Sequence, residues 1–246
     1  MPHHAPRPGG GGRISIAGGR AAYVGPALDL SPHRTAAAVI AIALHTPFEL
    51  TLFTRPRPVT ATRRLAMIPP ATLHHLRATG AMAFVYLDAL SDDHARLQRL
   101  DLAAVGGRLA RLVRDDGPAV DVEALCRAVG LPQRVIRDAR IARVVRQIQA
   151  RPQDFARARQ AAAHAGVSAS RFHELFREAV GMPFRRYRLW RRMAVVVRDL
   201  AGGASLTRAA LDAGFASSAH LSAAFKAMFG LAPSRLQALA IHLDVR

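Results

Sequence analysis

Hydrophobic positions in the first ninety residues fall in short runs separated by turn-forming residues. Arg13–Ala17, Ala21–Val24, Ala38–Leu44, Phe48–Phe53, Arg64–Ile68 and Met82–Leu87 each read as a strand. The interruptions are Gly18-Gly19, Gly25-Pro26, Thr46-Pro47, the proline-bearing Arg55–Val59, Pro69-Pro70 and Thr79-Gly80. Short strands at this spacing predict a small antiparallel sandwich or partial barrel, although the alternation is imperfect. From Ser91 the period becomes helical: Leu97, Leu100, Leu102, Val105, Leu109 and Leu112 fall mostly three or four apart behind a Ser91-Asp92-Asp93 cap. Gly106-Gly107 weakens that helix and Asp115-Asp116-Gly117-Pro118 stops it. Further helices follow over Asp121–Val129 and Gln133–Ala150, and beyond Arg151-Pro152 everything reads as helical. The expected class is α+β: a disordered tail over 1–12, a small antiparallel β domain over 13–90, connecting helices over 91–137 and an all-α domain over 138–241.

The helical part contains an approximate repeat. Ala161-Ala162-Ala163-His164-Ala165-Gly166-Val167-Ser168 leads into Phe172 and Phe176, and Ala209-Ala210-Leu211-Asp212-Ala213-Gly214-Phe215-Ala216-Ser217 leads into Leu221 and Phe225. Each copy has an alanine-rich helix, a glycine turn, a serine and a second amphipathic helix, which is the order a helix-turn-helix requires. Small residues let two helices cross closely, glycine permits a positive φ at the turn, and a serine oxygen caps the free amides of the second helix. Both copies close alike, Phe176 to Gly181 with Pro183 and Phe225 to Gly230 with Pro233. Between them Phe184–Ala201 predicts one long helix of roughly 27 Å, close to the ~34 Å between successive major grooves.

Charge points the same way. Lys and Arg number 35 against 17 Asp and Glu, a formal net of +18, which draws the chain to polyanions. Arg185, Arg186, Arg188, Arg191 and Arg192 crowd the start of the long helix; the bland reading is a solvated face, the sharp one a strip along the phosphate backbone. Cys126 is the only cysteine, so neither an intrachain disulfide nor a thiolate zinc cluster can form, and a buried inert thiol is the expectation. The first residues lack a secretory apolar core, and the longest apolar stretch, Ala36–Leu44, is far short of the roughly 20 residues that span a bilayer. A soluble cytoplasmic protein without a membrane partner is expected.

The Ala165-Gly166-Val167-Ser168 turn, Leu175-Phe176-Arg177 with Gly181-Met182-Pro183, and Ala213-Gly214-Phe215 through Phe225-Lys226 to Phe229-Gly230-Leu231-Ala232-Pro233-Ser234 resemble the AraC/XylS-type regulators. The resemblance spans roughly Asp138 to Leu239 and implies a seven-helix domain with two helix-turn-helix motifs that binds double-stranded DNA. It implies base contacts from Ser170, Arg171, His173, Glu174 and Arg177 in the first copy and Ser218, Ala219, Ser222 and Ala223 in the second. Phosphate contacts would come from Ser168, Ser217, Lys226 and the connector arginines. The second copy departs from the family, which often has long polar side chains where this chain has Ser218, Ala219 and Ala223. Side chains that short cannot make bidentate bonds to guanine or adenine, so the first motif is expected to supply most of the direct readout. Glu174 either accepts from cytosine or pairs with Arg171 or Arg177, and Trp190 reads as packing between the motifs.

The front domain is similar, over His45–Leu50, Ala66–Pro70, His74-His75 and Val85–Asp88, to a shortened cupin-type sensor. That similarity implies a small-molecule effector or dimerisation, the helices from Ser91 pairing two copies, with RNA polymerase as a further partner. Phe48, Leu50, Phe53, His74 and Tyr86 would line an effector pocket, or serve as plain core. His45, Glu49, His74 and His75 are the only material for a cupin metal site; their spacing fits a two-His, one-Glu set poorly, and neither metal nor cofactor is expected. The leading function is a sequence-specific transcription regulator rather than an enzyme. The rivals are a non-specific architectural DNA binder and a cupin-type enzyme with a DNA-tethering domain.

Overall fold

The computed structural model describes residues 11–28, 30–114, 120–237 and 241–245. The expected tail, except for its last two residues, and the Asp115–Pro118 helix stop lie outside the described residues. Two sheets form the front of the molecule. One runs β6(Leu65–Ile68), β3(Ala37–Ala43), β8(Met82–Asp88), β2(Arg20–Gly25), β1(Gly12–Ala17), β9(Ile241–Val245); the other runs β5(Val59–Arg63), β4(Phe48–Leu52), β7(His74–Arg77). Neighbours are antiparallel except β1 and β9, which are parallel with Gly12 opposite Ile241.

The imperfect alternation of the central strands has a structural cause. In β3, Ala37, Val39, Ala41 and Ala43 face the second sheet and the helical domain. Ala38, Ile40 and Ile42 face the opposite way, under α1(Asp92–Leu97), α2(Leu102–Arg114) and α3(Val122–Ala128). A strand buried on both faces needs no polar positions. Cys126 sits in this second core, where burial pushes its thiol up to about 12.

Several elements differ from expectation. β5 follows the proline-bearing segment expected only to interrupt, because Val59, Thr60 and Thr62 suit an edge strand. β7 is short and polar, burying only His74 and Leu76. The helix expected from Ser91 is two: Ser91 Oγ caps α1 by accepting from His94 N at 3.3 Å, Leu97 ends it in the core, and Asp101 restarts the chain by accepting from Ala104 N at 3.4 Å. The segment 241–245, expected at the end of an all-helical region, is β9.

The C-terminal helices are α4(Ala139–Ala150), α5(Ala158–Ala165), α6(Ala169–Val180), α7(Phe184–Ala201), α8(Leu206–Asp212), α9(Ser218–Phe229) and α10(Ser234–Gln237). α4 starts six residues later than expected, where the Asp138 carboxylate accepts from Arg140 N at 2.9 Å and Ile141 N at 3.3 Å. The hydrophobic core does not break where the helices begin. Tyr86 of β8 meets Phe229 of α9 edge-on at 5.4 Å, and Phe229 meets Trp190 of α7 at 5.7 Å, joining sheet and helices in one cluster. Backbone bonds add two seams, Asp92 N to Gly181 O at 2.9 Å and Ala36 N to Ala227 O at 2.8 Å.

Candidate nucleic-acid interface

The two repeats fold into closely similar hooks. α5 ends at Gly166 with φ 68°, and Gly214 after α8 has φ 74°. In each, the next residue reaches back five positions, Val167 N to Ala162 O at 3.1 Å and Phe215 N to Ala210 O at 2.8 Å. Ser168 Oγ then caps α6 by accepting from Arg171 N at 3.2 Å, and Ser217 Oγ caps α9 by accepting from His220 N at 3.1 Å. Phe172 and Phe176 of α6, like Leu221 and Phe225 of α9, are buried, so the opposite face of each helix is turned outward.

On α6 that outward face carries Ser170, Arg171, His173, Glu174 and Arg177, all exposed. Arg171 Nη1 donates to Glu174 at 3.0 Å, and both side chains are more than half exposed, so the pair can open to a competing acceptor at little cost. On α9, Ala219 and Ala223 are exposed while Ser218 and Ser222 are partly covered. His220 is exposed, with its ring 5.4 Å from Phe215.

The arginine-dense start of α7 is used differently from a simple phosphate strip. Arg185 is exposed. Arg186 Nε donates to the buried carboxylate of Asp88 at 2.7 Å, and Arg191 is buried. Arg188 donates to Ala156 O at 3.2 Å and Gln153 O at 3.4 Å, tying the loop after α4 to the connector. Arg192 Nε and Nη2 donate to Ala213 O at 2.8 Å and Gly214 O at 2.7 Å, and its guanidinium lies 3.7 Å over the Phe215 ring. Of the arginines expected to meet phosphate, Arg186 thus turns onto a buried carboxylate while partly exposed, and Arg191 turns into the core. Arg188 and Arg192 remain half-buried, and burial lowers the pKa of both.

These two and Arg185 meet Arg157 and His173 around a concavity of about 510 Å³ between the first motif and the connector. Arg157 was not legible as a site residue. It lies just ahead of the first copy, at the N-cap of α5, and comes to the connector where Arg188 bonds to the neighbouring Ala156 O, a contact that the local sequence does not reveal. Ser168, Ser217 and Lys226 are also exposed.

In the front domain, Phe48, Leu50, His74 and Tyr86 are buried, whereas Phe53 is exposed and borders neither of the two apolar crevices. Tyr86 borders both apolar crevices and His74 one of them; their open volumes, about 40 and 20 Å³, hold no more than a few waters. His74 packs on His33, with ring centroids 4.4 Å apart. Among the described residues no three His, Cys, Asp or Glu side chains converge as a metal-binding group, and no helix is long and apolar enough to cross a membrane.

Residues 161–238 match the family model described as a helix-turn-helix domain. The C-terminal region is thus an AraC-type helix-turn-helix domain, the domain of DNA-binding transcription regulators. No curated protein matches the chain. Among solved structures, the C-terminal domain of AraT, a response regulator from Geobacillus stearothermophilus, is 20% identical over 41% of this chain and 84% of its own, with a TM-score of 0.38. A transcriptional regulator with an AraC-type DNA-binding domain from Chromobacterium violaceum is 23% identical over 40% of this chain and 89% of its own, with a TM-score of 0.38. ToxT from Vibrio cholerae is 12% identical over 92% of this chain and 99% of its own, with a TM-score of 0.49.

Proposed function

We propose that the protein is a sequence-specific transcription regulator, not an enzyme, whose first motif reads bases while its second anchors the domain on DNA. The observation that carries this reading is the contrast between the two recognition helices. The outward face of α6 offers Arg171, His173, Glu174 and Arg177, groups able to bond to base edges, whereas that of α9 offers the short Ser218, Ala219, Ser222 and Ala223, with His220 beside the Phe215 ring and Lys226 near its end. Phosphate contacts fall to Ser168, Arg185, Ser217 and Lys226, with Arg157, Arg188 and Arg192 completing a basic rim beside His173. The arginines of α7 that point inward act as braces: by holding the turn of the second motif and the loop before the first, they set the spacing of the hooks. A non-specific architectural binder would need the charge alone, without donors and acceptors on α6.

Selection of bound DNA from a random pool with the full chain tests the reading, followed by salt titration on the selected site and a scrambled one. A specific regulator retains a preference of at least about a thousandfold, with base substitutions felt most in the half-site facing α6. Equal affinities with a shared salt slope would make it an architectural binder.

A further inference from the structure

We propose that the polar cavity between the sheet and the helical domain binds a small organic cation, an amine or guanidine on a short carbon skeleton. The cavity has an open volume of about 310 Å³, against about 40 and 20 Å³ for the apolar crevices, which puts it in the size range of small-molecule sites. Its wall is contributed by both parts of the chain. The β1–β2 turn and the first residues of α1 and α3 supply one side; Val145, Gln149, Val180 and Tyr187 supply the other.

The charge on that wall selects the occupant. Arg20 is buried, and its guanidinium donates from Nε to Asp93 at 2.9 Å, from Nη1 to Glu123 at 2.6 Å and from Nη2 to Pro132 O at 2.8 Å. One cation thus serves two carboxylates, and the enclosed Asp93 Oδ1 accepts no hydrogen bond among the described residues. Each other arginine at the cavity has its own carboxylate: Arg127 lies 3.8 Å from Asp121, and Arg134 lies 2.6 Å from Asp92. The wall itself carries Asp93, Asp121 and Glu123 against Arg20, Arg127 and Arg134; with Asp92, which lies beside the wall and takes up Arg134, four carboxylates stand against three guanidinium groups, a local surplus of negative charge in a chain whose net charge is +18. Enclosed charge without full compensation is costly, and a cation removes the deficit where an anion would compound it. Ile136, Val145, Val180 and Met182 give the wall apolar patches, which suit a short carbon skeleton. The junction is tight around it: Met182 lies against Gly19, and Arg134 lies over Gly181. An occupant touches both parts of the chain at once and so stabilises the packing of the helical domain on the sheet.

Isothermal titration calorimetry on the full chain tests this with n-butylammonium, n-butanol and n-butyrate, one skeleton carrying a positive, a zero and a negative charge. Saturable one-site binding is expected for the ammonium, at least about tenfold weaker binding for the alcohol, and none for the carboxylate. Gln133→Lys adds a like charge at an exposed position on the rim and should weaken the ammonium by about tenfold or more with an unchanged melting temperature. Glu178→Gln, exposed on α6 away from the cavity, should change nothing. Glu123→Gln, checked for folding by circular dichroism, should weaken the ammonium as well. The absence of saturable heat with n-butylammonium, equal affinity for the alcohol, or indifference to Gln133→Lys would each overturn the proposal. No DNA enters the experiment, so its failure leaves the regulator reading standing.

Discussion

Asp88, the last residue of β8 and fully buried, accepts the indole N–H of Trp190 at 2.6 Å across 102 residues of sequence. The same oxygen accepts Arg186 Nε at 2.7 Å, while Oδ1 accepts Leu90 N at 2.9 Å. A single carboxylate at the end of the sheet thereby holds the connector helix at two points one turn apart, and the connector carries both hooks. Trp190, read from sequence as packing between the motifs, is also the link to the sheet. Asp88→Asn leaves the guanidinium without its counter-charge and should cost about 3 kcal/mol, the lower end for a broken buried pair because Arg186 is partly exposed. Trp190→Phe keeps most of the ring but gives up the bond, for roughly 2 kcal/mol. Urea unfolding of the two variants checks the order.

How much of this was legible follows from where the information sits. The hooks are local: the glycine and serine that form each turn lie within a few residues of one another, so their spacing predicts the structure, and α7 has the expected limits Phe184–Ala201. The exposed face of α6 follows from the same period. The destinations of the connector arginines are not local. Whether Arg186 meets a phosphate or Asp88 depends on a partner 98 residues away, and nothing in its neighbours separates the two outcomes. The polar cavity lies further out of reach, since Arg20, Asp93 and Glu123 belong to three elements that only tertiary packing brings together. Phe53 is exposed for a simpler reason: just past the end of β4 it keeps the outward register of Glu49 and Thr51, while Phe48 and Leu50 face in.

Gly230 ends α9 at φ 81°, and the ring of His33 covers it so closely that an added Cβ would lie 2.1 Å from the ring. Gly203, after α7, has φ 83° with nothing within 4 Å. Alanine at Gly203 should therefore cost only the left-handed backbone term, roughly 1–2 kcal/mol. At Gly230 the ring must also move, which loosens the seam where Ala36 bonds to Ala227, so a larger loss is expected. Paired denaturation curves test the difference; equal losses would mean that the seam contributes nothing to stability.

The His33–His74 pair makes that seam sensitive to acid. Burial lowers the pKa of both rings below the ordinary 6.5; the bonds from their Nδ1 atoms to Ser31 O and Thr72 O oppose the shift, and nearby charge adds to it, from His75 and Lys226 on His33 and from His33 and His75 on His74. A base with a depressed folded-state pKa binds fewer protons folded than unfolded. Its contribution is complete above pH 6.5 and is lost as the pH falls from there towards the folded values. The melting temperature should be lower at about pH 5.5 than at about pH 7.5, and His74→Gln should flatten that dependence. An unchanged slope in the variant would assign it to other groups.

The roles proposed for the two recognition helices should separate in binding measurements. Arg171 is exposed on α6, held only by a solvent-screened pair with Glu174, so its guanidinium can exchange that carboxylate for a base edge. Arg171→Ala should cost roughly 1–3 kcal/mol of affinity and relax preference at one base pair. Arg185 projects from the start of α7 beside the basic concavity, and is proposed to meet backbone rather than bases. Arg185→Ala should weaken matched and scrambled sites alike and reduce the salt slope by about one. Ser222→Ala, on the short-chain face of α9, should leave the base preference unchanged. Base preference that shifts with Ser222 but not with Arg171 would reverse the assignment of reader and anchor, because the donors on α6 would then be facing something other than the groove.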